Sequence, residues 1–495
     1  MHTPKSPGVL TVLAMAAALL ASSACGVVAT APPPNILFIL CDDLGIMDLR
    51  SYGRADHRTP NLDRLASQGM RFTSAYCAQP ICSPSRAAVL TGKTPARLHL
   101  TTYLPGRPDR PAQKVLHPEI RMEVPLTEKM LPRWFKEAGY ATAAVGKWHV
   151  GGQGFGPLEQ GFDEYHAGQA NTKPSATEGG KGEYDLTAFA ERFIEAHKDG
   201  PFLVYLAHNT PHIPYDAQPA RIANNAGAFE PVYAGVIETL DDTVGRLMAK
   251  LDSLKIADRT IVIFTSDNGG LHVPEGPHAR ITHNTPYRAG KGFLYQGGLR
   301  IPLIVRWPGT IAPGAVTDAP VVNTDWLPTL LELAGRPVPP GLDGASFASL
   351  LTGGPAPARS LFWHFPHYNN QGGRPSGAMR DGPWMLVEFY DEEEVELYDL
   401  AADIREAKNL AAEQPDRAAK MRAALAAWRT SVGAQSNRPN PDFDPADFKA
   451  LYRDVDASRF DPATAGPVQW EKIAQWRKGM NGGGKKAAKV YQEHE

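Results

Sequence analysis

The chain of 495 residues contains 51 Lys and Arg against 53 Asp and Glu, which gives a formal net charge of −2. This balance excludes the broad basic surface of a nucleic-acid-binding protein and the acidic tract of a disordered tail, so no nucleic-acid partner is expected. The length is sufficient for a large catalytic domain and a smaller second one.

The N-terminus has the features of an export signal. Lys5 precedes the apolar stretch VLTVLAMAAALLA, which is too short to span a membrane but typical of a signal-peptide core. Two processing sites compete, because SSAC would make Cys25 a lipidated cysteine, whereas VVA ending at Ala29 is an ordinary cleavage site. We therefore predict a signal over residues 1–31 and a periplasmic or extracellular protein, with a lipid anchor through Cys25 as the one route to a membrane.

Short β-rich runs alternate with helical patterns along the next 300 residues or so. Apolar runs of this kind, separated by helices, predict a doubly wound α/β domain with a large, mostly parallel sheet flanked by helices. The predicted helices lie within 126–139 and 230–254. The predicted strands are NILFIL (35–40), ATAAV (141–145), PFLVYLA (201–207), TIVIFT (260–265) and IPLIV (301–305).

Residues 82–86 read CSPSR at a predicted helix start. Ser83 can cap a helix, and Pro84 suits the first helical position. A thiol at a helix N-terminus lies in a positive field, so Cys82 is also a candidate nucleophile or part of an anion site. The structural and the chemical interpretation are both open at this point, as is a disulfide between Cys77 and Cys82. Cys41 is most simply a buried thiol at a strand end.

Polar side chains follow four of the predicted strands. Because ligands bind outside the carboxyl ends of strands in such sheets, we expect these side chains to converge on one site. Each has an ordinary alternative as a helix cap, a solvated lysine or a core histidine. The residues are Asp42, Asp43, Lys147, His149, His208, His212, Asp267 and Asn268.

The oxygen donors of this set suit Ca²⁺ or Mg²⁺ and do not suit zinc. Cationic and imidazole side chains around such an ion would suit a tetrahedral oxyanion, either sulfate or phosphate. The expected metal ligands are Asp42, Asp43, Asp267 and Asn268, and the expected surrounding side chains are Arg86, Lys147, His149, His212 and Lys291.

The chain resembles the type I sulfatases, the formylglycine-dependent branch of the alkaline phosphatase superfamily, which includes arylsulfatases and exported bacterial carbohydrate sulfatases. CSPSR matches their Cys-x-Pro-Ser-Arg signature, and AAVLTGK continues the match. The resemblance covers most of residues 35–350. Its further segments are NILFILCDDLG, GKWHVGG, GFDEYHAG, HNTPHIP, SDNGG and TPYRAGKGFLYQGGLRIPLIVRWPG.

The resemblance implies an alkaline phosphatase-like fold and a modified nucleophile. A formylglycine-generating enzyme would oxidise Cys82 to Cα-formylglycine (3-oxoalanine) before folding, which removes Cys82 from disulfide pairing. Residue 82 would then also contact the metal. Asp267 would help to deprotonate the attacking hydroxyl.

The resemblance also implies roles for the remaining site residues. Arg86, Lys147 and Lys291 would stabilise the sulfate oxygens. His212 or Lys291 would protonate the leaving oxygen. His149 would take the proton of the second hydroxyl and so release sulfate. One departure from the family pattern is Gln296, where many relatives carry Glu, which removes a charge near Arg300.

After residue 350 the runs LFWHF, SGAMRDGPWMLVEFY and EVELYDL predict antiparallel strands, and 415–432 predicts an amphipathic helix. This resembles the smaller C-terminal subdomain of sulfatases. We therefore expect a catalytic domain over 32–350, an α+β subdomain over 351–432, and a polar extension over 433–495 whose end is mobile.

The expected reaction is hydrolysis of a sulfate monoester, by an exo-acting enzyme on sulfated carbohydrate. The loops 101–114 and 363–375 are the expected substrate loops, with His364, His367 and Arg374 as candidate contacts. Two alternatives remain at this stage: a phosphonate or phosphate monoester hydrolase on the same scaffold, and a catalytically silent glycan-binding relative.

Overall fold

The computed structural model describes residue 1 and residues 32–170, 173–175, 177 and 180–481. The predicted signal with Cys25, and the chain end at 482–495 predicted to be mobile, lie outside these ranges apart from Met1. The described residues from Pro33 onwards form one compact unit. None of the described helices is long and apolar enough to cross a bilayer.

The bounds of the regular elements follow. The strands are β1 (Asn35–Asp42), β2 (Met70–Phe72), β3 (Ala75–Tyr76), β4 (Val115–Leu116), β5 (Ala141–Gly146), β6 (Glu164–His166), β7 (Phe202–Pro211), β8 (Thr260–Ser266), β9 (Leu303–Arg306), β10 (Ala315–Thr317), β11 (Val321–Val322), β12 (Leu361–Phe365), β13 (Ser376–Asp381), β14 (Trp384–Phe389), β15 (Val395–Asp399) and β16 (Arg438–Pro439). The α-helices are α1 (Pro60–Gln68), α2 (Cys82–Thr91), α3 (Pro95–Leu98), α4 (Leu131–Glu137), α5 (Glu183–Ala196), α6 (Pro219–Asn224), α7 (Pro231–Ser253), α8 (Gln296–Leu299), α9 (Trp326–Leu333), α10 (Ala348–Leu351), α11 (Pro415–Ser431), α12 (Pro445–Tyr452) and α13 (Pro467–Asn481).

The main sheet has eight strands in the order β10-β2-β9-β8-β1-β7-β5-β6. The predicted alternation of strands and helices is confirmed. All residues of the central strand β1 are buried, and alternate side chains enter two different cores. Phe38 packs on one face of the sheet and Leu37 on the other, which explains why the sequence of β1 is continuously apolar.

The sheet is mixed, because β9 runs antiparallel to both of its neighbours, β8 and β2. The pairs β1/β7, β1/β8, β5/β7, β5/β6 and β2/β10 are parallel. The expectation of a mostly parallel sheet is therefore confirmed. The direction of β9 could not be read from the apolar run IPLIV, which has no directional signal.

The predicted C-terminal strands form a four-stranded antiparallel sheet in the order β12-β13-β14-β15. The predicted helix forms as α11, and Met421 and Leu425 pack on Leu386 and Leu397 of the sheet. The buried stripe of α11 is narrow, with Ala418 as its third buried member, because charged and alanine positions fill the rest of the helix.

The polar extension after α11 contacts the loop that follows β8. His272 Nε2 lies 2.9 Å from the Ala457 carbonyl oxygen. Arg288 Nη2 donates to Ser458 Oγ at 2.7 Å. The extension therefore packs on the segment that leads to Lys291.

Candidate active site

Four acidic and amide side chains meet at the ends of β1 and β8. The two strands pair in parallel register up to Cys41 and Ser266, so the residues that follow are neighbours. The Asp43 backbone N–H donates to Asp267 Oδ1 at 3.2 Å. Asn268 Nδ2 donates to Asp43 Oδ1 at 2.8 Å. The structure thus brings the two predicted acidic clusters into direct contact.

Two lysines pair with the two carboxylates at the end of β1. Lys147, which follows β5, places Nζ 2.6 Å from Asp42 Oδ2. Lys291, which lies between β8 and α8, places Nζ 2.7 Å from Asp43 Oδ2. All four side chains are buried, so these ion pairs are weakly screened by solvent.

Arg86 of α2 pairs with the carboxylate that follows β8. Its Nε and Nη2 atoms each lie 2.8 Å from Asp267 Oδ2, and Nη2 lies 3.7 Å from Asp42 Oδ1. Its Nη1 donates to the Lys147 carbonyl oxygen at 3.2 Å. Arg86 therefore joins the helix that begins at Cys82 to three strand ends.

Burial and the cations shift the carboxyl pKa values in opposite directions. Burial raises the pKa of Asp267 to about 8, and Arg86 only partly offsets this effect. Burial also acts on Asp42, but the positive charge of Lys147 and other cations holds the pKa of that carboxyl well below its ordinary value. The pKa of Asp43 is raised by burial despite Lys291. Burial and the neighbouring cations thus separate the three carboxyl groups, because the pKa of Asp42 falls whereas the pKa values of Asp43 and Asp267 rise.

The donor set fits a divalent cation. Asp42 Oδ1 and Asn268 Oδ1 are buried oxygens that accept no hydrogen bond within the described protein. Ligand atoms of Asp42, Asp43 and His212 also lie within 4.8 Å of one another. Carboxylate and amide oxygens are the ligands that Ca²⁺ and Mg²⁺ prefer, and a bound cation would satisfy these two buried oxygens.

Helix α2 begins at Cys82, two residues earlier than a Ser83 cap would place it, and the N-cap position is Ile81. The prediction of Ser83 as the cap was wrong. Its hydroxyl instead accepts a hydrogen bond from the Leu104 backbone N–H at 3.1 Å, which ties the helix start to the 101–114 loop. Cys82 is 3% exposed and lies at the first turn of the helix, beside Arg86.

The three described cysteines, Cys41, Cys77 and Cys82, are free buried thiols. A disulfide between Cys77 and Cys82 is therefore not formed. Cys41 is fully buried at the end of β1, as predicted, and burial raises the pKa of its thiol well above the ordinary value.

Two histidines flank the cluster. His149 Nε2 lies 3.0 Å from the Leu104 carbonyl oxygen, its Nδ1 has no partner, and burial lowers its pKa to about 3. His212 Nε2 lies 3.7 Å from Asp43 Oδ2, and burial, followed by Lys291, lowers its pKa well below the ordinary value. Burial of the two rings therefore favours their neutral forms over the imidazolium forms.

His208 was noted in the sequence but not assigned a role. It is fully buried on β7, both of its ring nitrogens lack a hydrogen-bond partner in the described structure, and burial lowers its pKa to about 3. The only sequence signal was its position at a strand end. His208 is therefore a neutral core histidine, although it is close in sequence to the site residue His212.

In the described structure, each of the three candidate substrate residues has polar partners outside this cluster. His364 lies 2.9 Å from the Tyr390 hydroxyl oxygen and 2.8 Å from the Gln435 carbonyl oxygen. His367 Nε2 lies 2.7 Å from Thr101 Oγ1. Their assignment to substrate remains a prediction.

Arg374 also has partners within the protein. It pairs with Asp391 at 2.7 Å, with Glu394 at 3.0 Å and with Glu392 at 3.2 Å. Its substrate role also remains a prediction, since all of its nitrogens face carboxylates of the C-terminal region.

A cleft of about 660 Å³ opens beside Lys147 and His149. Leu104 and Pro105 of the predicted substrate loop 101–114 line this cleft, and other wall residues belong to the segments GKWHVGG and GFDEYHAG. The aromatic side chains that line it are Trp148, Phe155 and Tyr165. Strand-end positions identified the charged residues, whereas the aromatic wall comes from loops and from the three-residue edge strand β6, which is too short to show a periodic signal.

Comparison with known proteins identifies the family. The sulfatase family model matches residues 34–336, and the model of the C-terminal region of N-sulphoglucosamine sulphohydrolase matches residues 289–430. N-acetylgalactosamine-6-sulfatase of Sus scrofa is 34% identical over 70% of this chain and 71% of its own length. A sulfatase of Formosa agariphila is 31% identical over 80% of this chain and 88% of its own length.

A solved structure agrees with this relationship. The crystal structure of Ps i-CgsB superposes with a TM-score of 0.70 at 26% identity, over 91% of this chain and 99% of that one. A second structure of that protein holds k-i-k-neocarrahexaose. The chain belongs to the sulfatase family and is a sulfuric ester hydrolase.

Proposed function

We propose that this protein removes sulfate from the end of a sulfated carbohydrate, with Cys82 converted to Cα-formylglycine and with Ca²⁺, or alternatively Mg²⁺, bound. The observation that carries the proposal is the convergence of the Cys82 helix start, three carboxylates and three cations at one buried sheet edge. The carbohydrate bound to Ps i-CgsB supports the substrate class. A cleft of about 660 Å³ suits one or two sugar units and hence exo action.

Asp42, Asp43, Asp267 and Asn268 would hold the ion, together with an oxygen of the converted residue 82. The ion would supply positive charge that polarises the sulfate group. The converted residue 82 would supply a geminal diol, of which one hydroxyl is the nucleophile and the second permits sulfate to leave.

The protein's own residues supply the remaining chemistry. Asp267 lies at the Arg86 end of the cluster and would take the proton of the attacking hydroxyl. Lys147 and Lys291 would bind sulfate oxygens as negative charge moves to the leaving group. His149, with a buried Nδ1 that has no partner, would accept the proton of the second hydroxyl.

The leaving oxygen requires a proton donor, either His212 or Lys291. A sugar alkoxide is a poor leaving group, whereas 4-nitrophenolate leaves without protonation. The variant that lacks the acid should therefore lose about 10²–10⁴-fold activity on a sugar sulfate and far less on 4-nitrophenyl sulfate. His212→Ala and Lys291→Ala distinguish the two, with Lys93→Ala, whose ion pair with Glu128 is partly exposed, as the control.

The maturation and localisation follow from the same proposal. Residues 1–31 would direct export to the periplasm or beyond, with either a cleaved signal or a lipid anchor on Cys25. A formylglycine-generating enzyme would act on Cys82 before folding. The domain division at 32–350, 351–432 and 433–495 belongs to this proposal as well.

The test combines mass spectrometry with activity. The tryptic peptide over residues 72–86 contains both Cys77 and Cys82, so alkylation marks one cysteine in converted protein and two in unconverted protein. Converted protein should release sulfate from 4-nitrophenyl sulfate, lose activity with a chelator and regain it with Ca²⁺. Conversion with turnover of a phosphonate monoester but no sulfate release would favour the alternative hydrolase. Conversion with no hydrolysis would favour a glycan-binding role.

A further inference from the structure

The cleft beside the sulfate site has an unusual charge balance. Among the residues described as lining it, Lys147 and Glu123 are the charged ones. Lys147 is paired with Asp42 at 2.6 Å, and His149 is neutral because burial lowers its pKa to about 3. The charge left to meet the rest of the substrate is therefore the carboxylate of Glu123.

Glu123 is held against the same segment that carries the catalytic lysine. The neighbouring Val124 backbone N–H donates to the Val150 carbonyl oxygen at 3.0 Å. A Cβ placed on Gly151 would lie 3.1 Å from the Glu123 Cβ. Within the described structure the Glu123 carboxylate forms no ion pair and no hydrogen bond, so it remains available to the cleft.

The same cleft also has an aromatic wall, which suits the apolar faces of a carbohydrate substrate. Tyr165 is 37% exposed, and its hydroxyl donates to the Gly146 carbonyl oxygen at 3.3 Å, which fixes the ring. Trp148 donates its indole N–H to the Phe155 carbonyl oxygen at 2.9 Å. Fixed aromatic surfaces with polar groups at their edges are typical of sites that bind the apolar faces of sugars.

We propose that Glu123 is a specificity-determining residue that makes the cleft select an uncharged, hydroxyl-rich leaving group. The preferred substrate is a sugar with one sulfate on otherwise neutral units. A second sulfate or a carboxylate next to the scissile ester would meet the Glu123 carboxylate, whereas a sugar hydroxyl can donate a hydrogen bond to it. This inference rests on the proposed function, because it concerns the same reaction.

The physical effect is large enough to measure. Two like charges several ångströms apart near a protein surface repel by an amount equivalent to about tenfold in binding or more, and salt screens the repulsion. We therefore expect the protein to prefer a monosulfated neutral disaccharide over the same disaccharide with a second sulfate on the adjacent sugar. The preference should shrink as the ionic strength rises.

The experiment uses formylglycine-containing protein and measures kcat/KM for the monosulfated disaccharide divided by kcat/KM for the disulfated one. Mass spectrometry of the products identifies which sulfate is lost. Glu123→Gln should lower the ratio about tenfold, and Glu123→Lys should lower it further. Glu119→Gln, at an exposed position outside the cleft, should leave the ratio unchanged. Tyr165→Ala should weaken kcat/KM for both disaccharides and leave the ratio unchanged.

Two outcomes would overturn the inference: a wild-type preference for the disulfated substrate, or a ratio that Glu123→Gln and Glu123→Lys do not move. Failure of the proposed function is recognised separately. In that case the converted wild-type protein would release no sulfate from 4-nitrophenyl sulfate or from either disaccharide.

Discussion

Arg86 directs both Nε and Nη2 to Oδ2 of Asp267, each at 2.8 Å, and neither side chain is exposed to solvent. This contact joins the helix that begins at Cys82 to the end of β8. Burial raises the pKa of Asp267, and the guanidinium group opposes that rise. This buried charge pair thus holds helix α2 against the carboxylate edge of the main sheet.

Arg86→Ala should lower both stability and activity. Removal of one partner of a buried ion pair costs about 3–5 kcal/mol, because the Asp267 carboxylate is left buried without a cationic partner. Loss of a cation at the sulfate site should reduce turnover at least about 10²-fold. Urea unfolding and sulfate release measure the two effects. Arg97→Ala is the control: it breaks an ion pair with Asp343 in which Arg97 is 38% exposed, so it should cost less than about 1 kcal/mol of stability. An Arg86→Ala variant as stable as Arg97→Ala would contradict this prediction.

Ca²⁺ should raise the thermal midpoint of the wild-type protein, and a chelator should reverse the rise, because an ion bound only by the folded state stabilises it. Asn268→Ala removes a buried amide oxygen that has no hydrogen-bond donor in the described protein. The Ca²⁺-dependent shift should therefore be smaller in Asn268→Ala at equal ion concentration. Asn224→Ala, on the exposed end of α6, is the control and should keep the full shift. An equal shift in Asn268→Ala would exclude Asn268 as a ligand.

Gly372 should tolerate no side chain. It has φ of 101°, and a Cβ would lie 2.7 Å from the Trp476 ring of α13. Gly341 has φ of 83° with open space around a Cβ, so Gly341→Ala reports the backbone cost alone, about 1 kcal/mol. We expect Gly372→Ala to cost at least about 1 kcal/mol more than this control in urea unfolding.

The same variant should also affect activity. Asn369, which forms a tight turn with Gly373, donates Nδ2 to the Gly292 carbonyl oxygen at 2.6 Å, next to Lys291. Displacement of this turn by Gly372→Ala should therefore lower kcat/KM, whereas Gly341→Ala should not. Equal stability and activity in the two variants would show that the extension does not support the Lys291 loop.

Glu406 should make stability depend on pH. Burial raises its pKa to about 8, although the Gln296 backbone N–H donates to its Oε2 at 2.8 Å. A carboxyl group with a raised pKa in the folded state stabilises the protein below its unfolded pKa, and this contribution is lost as the pH rises to about 8. Glu406→Gln mimics the protonated form. The thermal midpoint of Glu406→Gln should match that of the wild type near pH 5 and exceed it near pH 9. The control Glu413→Gln, at an exposed position, should have the wild-type midpoint at both pH values. A wild-type advantage at high pH would contradict the prediction.

The contacts of Gln296, where many relatives carry Glu, show how Arg300 keeps a partner without that carboxylate. Its Oε1 accepts hydrogen bonds from Arg300 Nε at 2.6 Å and from the Tyr76 hydroxyl at 2.8 Å. Arg300 therefore keeps an acceptor without a carboxylate at position 296, and the buried Glu406 lies on the backbone side of that residue.

The sequence by itself determined which residues could form the site. Asp42, Asp43, Lys147 and Asp267 each follow a continuously apolar run, and the ends of parallel strands must meet at one edge. The main α/β sheet, the C-terminal antiparallel sheet and α11 were likewise predictable, because periodicity and turn residues act over short stretches of chain.

Only the tertiary structure decided how distant residues pair. Arg86 and Asp267 are 181 residues apart, and no local pattern specifies their contact. Contacts between distant segments also determine the direction of β9 and the packing of the extension on the Lys291 loop. They likewise determine the internal partners of His364 and Arg374. Local propensity fixes the elements, whereas buried charges and side-chain volumes select their arrangement by contacts between segments far apart in the chain.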